Sequence, residues 1–79
     1  MKRAVANVGK TRVLGDVIKE NPLTTLIRID PEGLIKVLRS WFMEHGVSMT
    51  EYRNMLKEYG ITKGNTIKRH NLKHQVEII

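Results

Sequence analysis

The chain has 79 residues and no cysteine, which excludes disulfides, thiolate metal clusters and cysteine nucleophiles and leaves stability to the packing of one small core. Fourteen Lys and Arg stand against eight Asp and Glu, a formal net charge of +6, so an anionic partner is expected, either nucleic acid or an acidic protein surface. No run of about eighteen apolar residues occurs, and the opening "MKRAVANVGKTR" lacks the apolar centre of a signal peptide, so a single cytoplasmic domain over residues 1–79 with no membrane contact is expected.

Residues 4–11, "AVANVGKT", fit a P-loop pattern if Ala is accepted at its first position. A working P-loop needs a buried strand before it and a helix opening at its Lys-Thr end. Here "RVLGDVI" follows, which is strand-like. The stretch therefore counts for a turn at Gly9 and for the charges of Lys10 and Arg12, with an extra strand admitted near Val5–Val8.

From Arg12 to Ile29, "RVLGDVIKENPLTTLIRI" is rich in β-branched residues and broken by Glu20-Asn21-Pro22, which predicts two strands around a turn. In the first, Val13, Gly15, Val17 and Lys19 share one face and Leu14, Asp16 and Ile18 the other; Gly15 permits a bend. In the second, Leu23, Thr25, Ile27 and Ile29 alternate with Thr24, Leu26 and Arg28. Asp30-Pro31 then reads as an N-cap and first helical residue. Leu34, Leu38, Trp41 and Phe42, widened by Ile35 and Val37, recur at helical spacing until Gly46. Ser48 to Glu51 has capping-box spacing, and Met49, Tyr52, Met55, Leu56 and Tyr59 form a second stripe ending at Gly60. After "TKGN" at residues 62–65, a strand is predicted over Thr66–His70, a turn over Asn71–His74 and a last strand over Gln75–Ile79. The order is ββααββ: an α+β domain whose strand half (1–29 and 64–79) holds an inserted two-helix hairpin (30–63).

With the hairpin set aside, "GKTRVLGDVIKENPLTTLIRI" and "NTIKRHNLKHQVEII" together resemble a small SH3-like barrel of the KOW or Tudor sort. That resemblance implies a binding module for nucleic acid or protein, with a sheet that closes as a barrel; the pattern itself also allows an open antiparallel sheet. The hairpin is where this chain departs from the family.

Charge divides the segments. Residues 1–29 carry six Lys and Arg against two acids, residues 30–63 five against five, and residues 64–79 three against one. The excess lies in the strand segments, and the cluster "KRHNLKH" is its densest part. Lys68, Arg69, His70, Lys73 and His74, joined by Lys10, Arg12, Lys19 and Arg28, are the expected phosphate contacts of a nucleic-acid-binding protein, a small DNA-binding regulator among the forms this could take. No aromatic lies in the strand segments, which points to duplex or backbone contacts over base stacking. His70 and His74 add charge below neutrality, as histidine does; on a strand and turn they do not share a face, so no metal site is expected. "FMEHGVSMTEYRNML" resembles the turn of a helix-turn-helix, with Val47 and Tyr52 inward and Thr50, Glu51, Arg53, Asn54 and Lys57 outward. With no net charge in its own segment, it is read instead as a hairpin packed on the sheet.

The competing expectation is a protein-interaction module, such as a small regulator or inhibitor of the kind a virus or mobile element encodes, docking on an acidic partner through Trp41, Met43, Met49 and Arg53. An edge strand or an exposed Trp41 also offers a route to a homodimer. Scattered carboxylates and the lack of a nucleophile context predict no enzyme and no cofactor.

Overall fold

In the computed structural model, which describes residues 2–74 and 76–79, the alternating segments form strands β1 (Arg3–Val8), β2 (Thr11–Glu20), β3 (Thr24–Ile29), β4 (Ile61–Thr62), β5 (Thr66–His70) and β6 (Glu77–Ile78). The helices α1 (Pro31–His45) and α2 (Met49–Tyr59) lie between β3 and β4. The fold is α+β, and all six strands pair antiparallel in the order β4-β5-β3-β2-β1-β6.

Two strands add to the expected ββααββ order: β1, where an extra strand was admitted near Val5–Val8, and β4. β1 is a full six-residue strand, and it pairs with β2 from Arg3↔Asp16 to Val8↔Thr11 across a tight turn at Gly9-Lys10, where Gly9 has φ 62°. Thus "AVANVGKT" is a hairpin, with a strand and not a helix after its Lys-Thr. β4 is two residues long and turns back on β5, too short to show a period. The expected last strand contracts to β6, and Gln75 lies outside the described residues.

One face of the sheet is apolar. Ala4, Ala6 and Val8 of β1, Val13 and Val17 of β2, Ile27 and Ile29 of β3 and Ile67 of β5 are buried there, joined by Ile61. The helices cover this face: α1 lays Gly33 against Val13 and Ile29, and Val37 and Met55 are buried. Leu34, Leu38, Trp41, Tyr52, Leu56 and Tyr59 pack around them. The irregularity in β2 falls between Val17 and Lys19, not at Gly15. Ile18 is the bulged residue, and past it Lys19 pairs with Leu26 on the outer face. A bulge adds one residue and so reverses the expected parity. Gly15 is small for a different reason: a Cβ there would stand 2.5 Å from the Arg28 carbonyl oxygen. The sheet is also coiled. The Arg69 guanidinium on β5 donates to the Asn7 carbonyl on β1 at 2.6 Å, although β5 and β1 are three strand spacings apart, about 14 Å in a flat sheet.

Both helix starts differ from expectation in how they are capped. Asp30 occupies the N-cap of α1, with Pro31 after it, but its carboxylate makes no capping bond. It pairs instead with Arg3, which also donates to Asp16 at 2.8 Å. A bidentate guanidinium is a stronger partner than a backbone N–H. At α2, Ser48 accepts from the Glu51 N–H at 3.0 Å, while the Glu51 carboxylate accepts from the Trp41 indole at 3.1 Å and does not complete the box.

The Arg3 pairing gives the fold an acid limit. Hydrogen bonds from Arg3 hold the Asp16 and Asp30 carboxyls below the usual carboxylate range. A carboxyl lowered in the folded state contributes stability above its unfolded pKa of about 3.9, and loses it as pH falls through the folded value. Thermal melts by circular dichroism between pH 7 and pH 3 should show the melting temperature falling at the acid end. In Arg3→Met the fall should be smaller.

Candidate nucleic-acid interface

Strand parity decides which of the basic residues reach solvent. In β5, Ile67 is fully buried, so Lys68 and His70 face outward and Arg69 faces inward. Lys68 pairs with Leu26, which in turn pairs with Lys19. The two lysines therefore flank one leucine in a single row across three strands, about 10 Å apart by strand spacing. Beyond β5, the His70 carbonyl accepts the N–H groups of Lys73 at 3.0 Å and His74 at 2.9 Å, which folds both residues back beside His70.

This turn is held by a residue that sequence reasoning passed over. Asn71 donates its backbone N–H to Leu23 O at 2.8 Å and its amide to Asn21 O at 2.9 Å, and its Oδ1 accepts the Thr25 hydroxyl at 2.7 Å. It ties the basic turn to the β2–β3 turn. An Asn directly after the strand-end His70 is the sequence signal of that role, since Asn side chains bond locally in turns.

The remaining expected contacts are placed differently. Arg12 pairs with Glu77 at 2.5 Å, Lys10 with Glu44 at 3.5 Å and Arg28 with Asp16 at 3.4 Å. Each of these cations already faces a carboxylate. Arg69 is 9% exposed and departs from the expected surface cluster. Burial lowers its pKa, its Nη2 donates to Asn7 O, and its Nε has no hydrogen-bond partner among the described residues. Lys19, Lys68, His70, Lys73 and His74 are exposed and outside the ion pairs formed among the described residues.

No known family, curated protein or solved structure matches the chain.

Ion pairing also redistributes the free charge. Lys2, Arg3, Lys10, Arg12 and Arg28 take Glu20, Asp16, Asp30, Glu44 and Glu77. Of the fourteen Lys and Arg, nine then stand outside ion pairs among the described residues, and five of those nine (Lys36, Arg39, Arg53, Lys57 and Lys63) belong to the segment whose own count is neutral. Asp30 and Glu44 come from that segment and neutralise strand cations. Glu32, Glu51 and Glu58 of that segment also stand outside ion pairs among the described residues, so five cations there face three acids.

The residues expected to meet a protein partner divide into two groups. Trp41 is half-buried, its indole bonded to Glu51, its ring stacked on His45 at 4.0 Å and edge-on to Tyr59 at 5.4 Å. It is part of the hairpin's packing. Met43, Met49 and Arg53 are exposed, and so is Val47, which the helix-turn-helix likeness placed inward. Glu51, expected outward, is drawn to the half-buried Trp41. Among the described residues no three of His, Cys, Asp and Glu are grouped as a metal site would need, and no helix is long and apolar enough to cross a membrane.

Proposed function

We propose that the protein is a small non-enzymatic nucleic-acid-binding regulator acting in the cytoplasm, and that Lys19, Lys68, His70, Lys73 and His74 make its phosphate contacts. The observation that carries this reading is the freedom of these five side chains. They lie on the outer sheet face and the adjoining turn, while the neighbouring cations are matched to carboxylates. A phosphate can approach a free ammonium without displacing a protein carboxylate. The SH3-like resemblance belongs to the same proposal. It is supported by the β5-β3-β2-β1 meander, the return of the last strand to β1, and the coiling that brings Arg69 to Asn7.

The test is fluorescence anisotropy on a duplex of about 30 bp and an RNA of the same length, from about 50 to 200 mM salt. Affinity should fall steeply with salt. Combining Lys19→Ala, Lys68→Ala and Lys73→Ala should weaken binding on every sequence alike and reduce the salt slope by about 3, one for each lost phosphate contact. Lys10→Ala, whose ammonium already faces Glu44, should change the slope less. No binding at low salt, or an unchanged slope in the triple variant, overturns the reading.

A further inference from the structure

Around the turn between α1 and α2, three apolar side chains are left largely in water: Met43 is 88% exposed, Val47 80% and Met49 64%. Large exposed apolar side chains gathered at one turn of the fold offer a contact surface. These three have a cationic collar. Arg39 stands four residues before Met43 and Arg53 four residues after Met49, so each methionine has an arginine one helical turn behind it, about 6 Å along the axis. Lys36 and Lys57 follow about one turn further back. All four cations are exposed and outside the ion pairs formed among the described residues. Of the nearby carboxylates, Glu44 faces Lys10 at 3.5 Å, while Glu51 keeps its charge and is held back toward α1 by the Trp41 indole and, at 2.9 Å, by the Asn54 amide.

We propose that this tip is a wedge for duplex DNA. Met43, Val47 and Met49 press into a base step from the minor groove, and Arg39 and Arg53 contact the phosphates on either side. The proposal rests on the nucleic-acid reading and assigns the hairpin a part in it. The occupant must be apolar at its centre and anionic along both margins, which describes a base step between two phosphate strands. Proteins that insert apolar side chains in this way unstack the step and kink the duplex by about 20–90°. A lipid surface fits less well. An interfacial segment sinks about 5–10 Å toward the acyl chains, and this tip would carry Glu44, His45 and Ser48 down with it. A base step needs only two or three side chains.

The experiment uses the full chain and a duplex of about 30 bp carrying a fluorophore at each end and 2-aminopurine at a central TA step. The wild type should raise both end-to-end energy transfer and 2-aminopurine fluorescence. The triple variant Met43→Ser, Val47→Ser, Met49→Ser changes only exposed side chains, so its circular dichroism should match the wild type. It should lose both signals while affinity falls no more than about tenfold, one base-step contact's worth. Arg39→Ala with Arg53→Ala should weaken binding and lower the salt slope by about 2. Salt-dependent binding that leaves the duplex straight overturns the wedge and leaves the phosphate-binding reading standing, as does a serine variant that bends DNA like the wild type. Partition of the tip onto phosphatidylglycerol–phosphatidylcholine vesicles with no DNA bending also overturns it. No duplex binding at low salt by the wild type overturns both proposals.

Discussion

Gly15→Ala should destabilise the domain by about 3 kcal/mol, the upper end of what overpacking costs. A Cβ at Gly15 would stand 2.5 Å from the Arg28 carbonyl oxygen and 2.6 Å from Ile27 Cγ2. The first of these is backbone in the middle of the β2–β3 ladder, where Gly15 pairs with Ile29 and Asp16 with Arg28. A flexible side chain can swing aside, but a carbonyl held in a ladder moves only if the strands part. Parting them would also disturb Asp16, which accepts from Arg3 and Arg28. For a 79-residue chain total stability is on the order of 4–12 kcal/mol, so one methyl group would remove a large part of it. Gly60→Ala is the control. Gly60 is left-handed at φ 66°, with nothing within 4 Å of its added Cβ, so only the conformational penalty of about 1–2 kcal/mol applies. Urea unfolding of both variants should therefore rank Gly15→Ala well below Gly60→Ala. The reverse order would show that β2 and β3 separate at little cost.

Where local chemistry decides the outcome, the structure agrees with what the residues announce. Pro31 opens α1, Ser48 caps α2 through its hydroxyl, and the αL residue Gly60 ends α2. The strand period in "TIKRH" is that of β5. Where the outcome depends on a partner far along the chain, reading in order misleads. Asp30 is a good N-cap by type, but Arg3 lies 27 residues away and claims it. Lys19 changes face because of a bulge at Ile18, which no residue type in that run announces. Met49 belongs to an apolar stripe by spacing, yet it is exposed at the start of α2 while Met55 two turns on is fully buried.

The same limit governs the candidate interface. A charge count along the chain treats Lys10 and Lys68 alike, and only the folded chain shows Glu44 facing one of them. Glu44 and Asp30 both face strand cations, which leaves five cations and three acids of the hairpin's own segment outside ion pairs among the described residues, a balance that a count along the chain does not show. Arg69 was expected among the surface contacts and is buried, although the strand period carried the signal for it. Alternation puts it on the face of Ile67, two residues before it, and an apolar Ile67 fixes that face as the inner one.

Arg69 therefore carries the second large effect. Arg69→Ala should cost about 2–4 kcal/mol, because it removes a buried aliphatic stem and the bond that holds β5 to the Asn7 carbonyl across the coiled sheet. Arg69→Met restores most of the stem without the charge. Burial already disfavours the guanidinium, and its Nε has no partner among the described residues, so removing the charge relieves a desolvation cost as the bond is lost. Methionine should accordingly fold within about 1 kcal/mol of the wild type. The two variants separate shape from charge in urea unfolding, and Arg69→Met then separates fold from function. Its net charge is one lower, yet its affinity for duplex DNA and its salt slope should match the wild type, since a buried guanidinium bonded to Asn7 meets no phosphate. Lys68→Ala, one residue earlier and equal in charge change, should lower the slope by about 1. If Arg69→Met lowers the slope as much as Lys68→Ala does, β5 turns in solution to present Arg69, and the outer row of Lys19 and Lys68 is not the binding face.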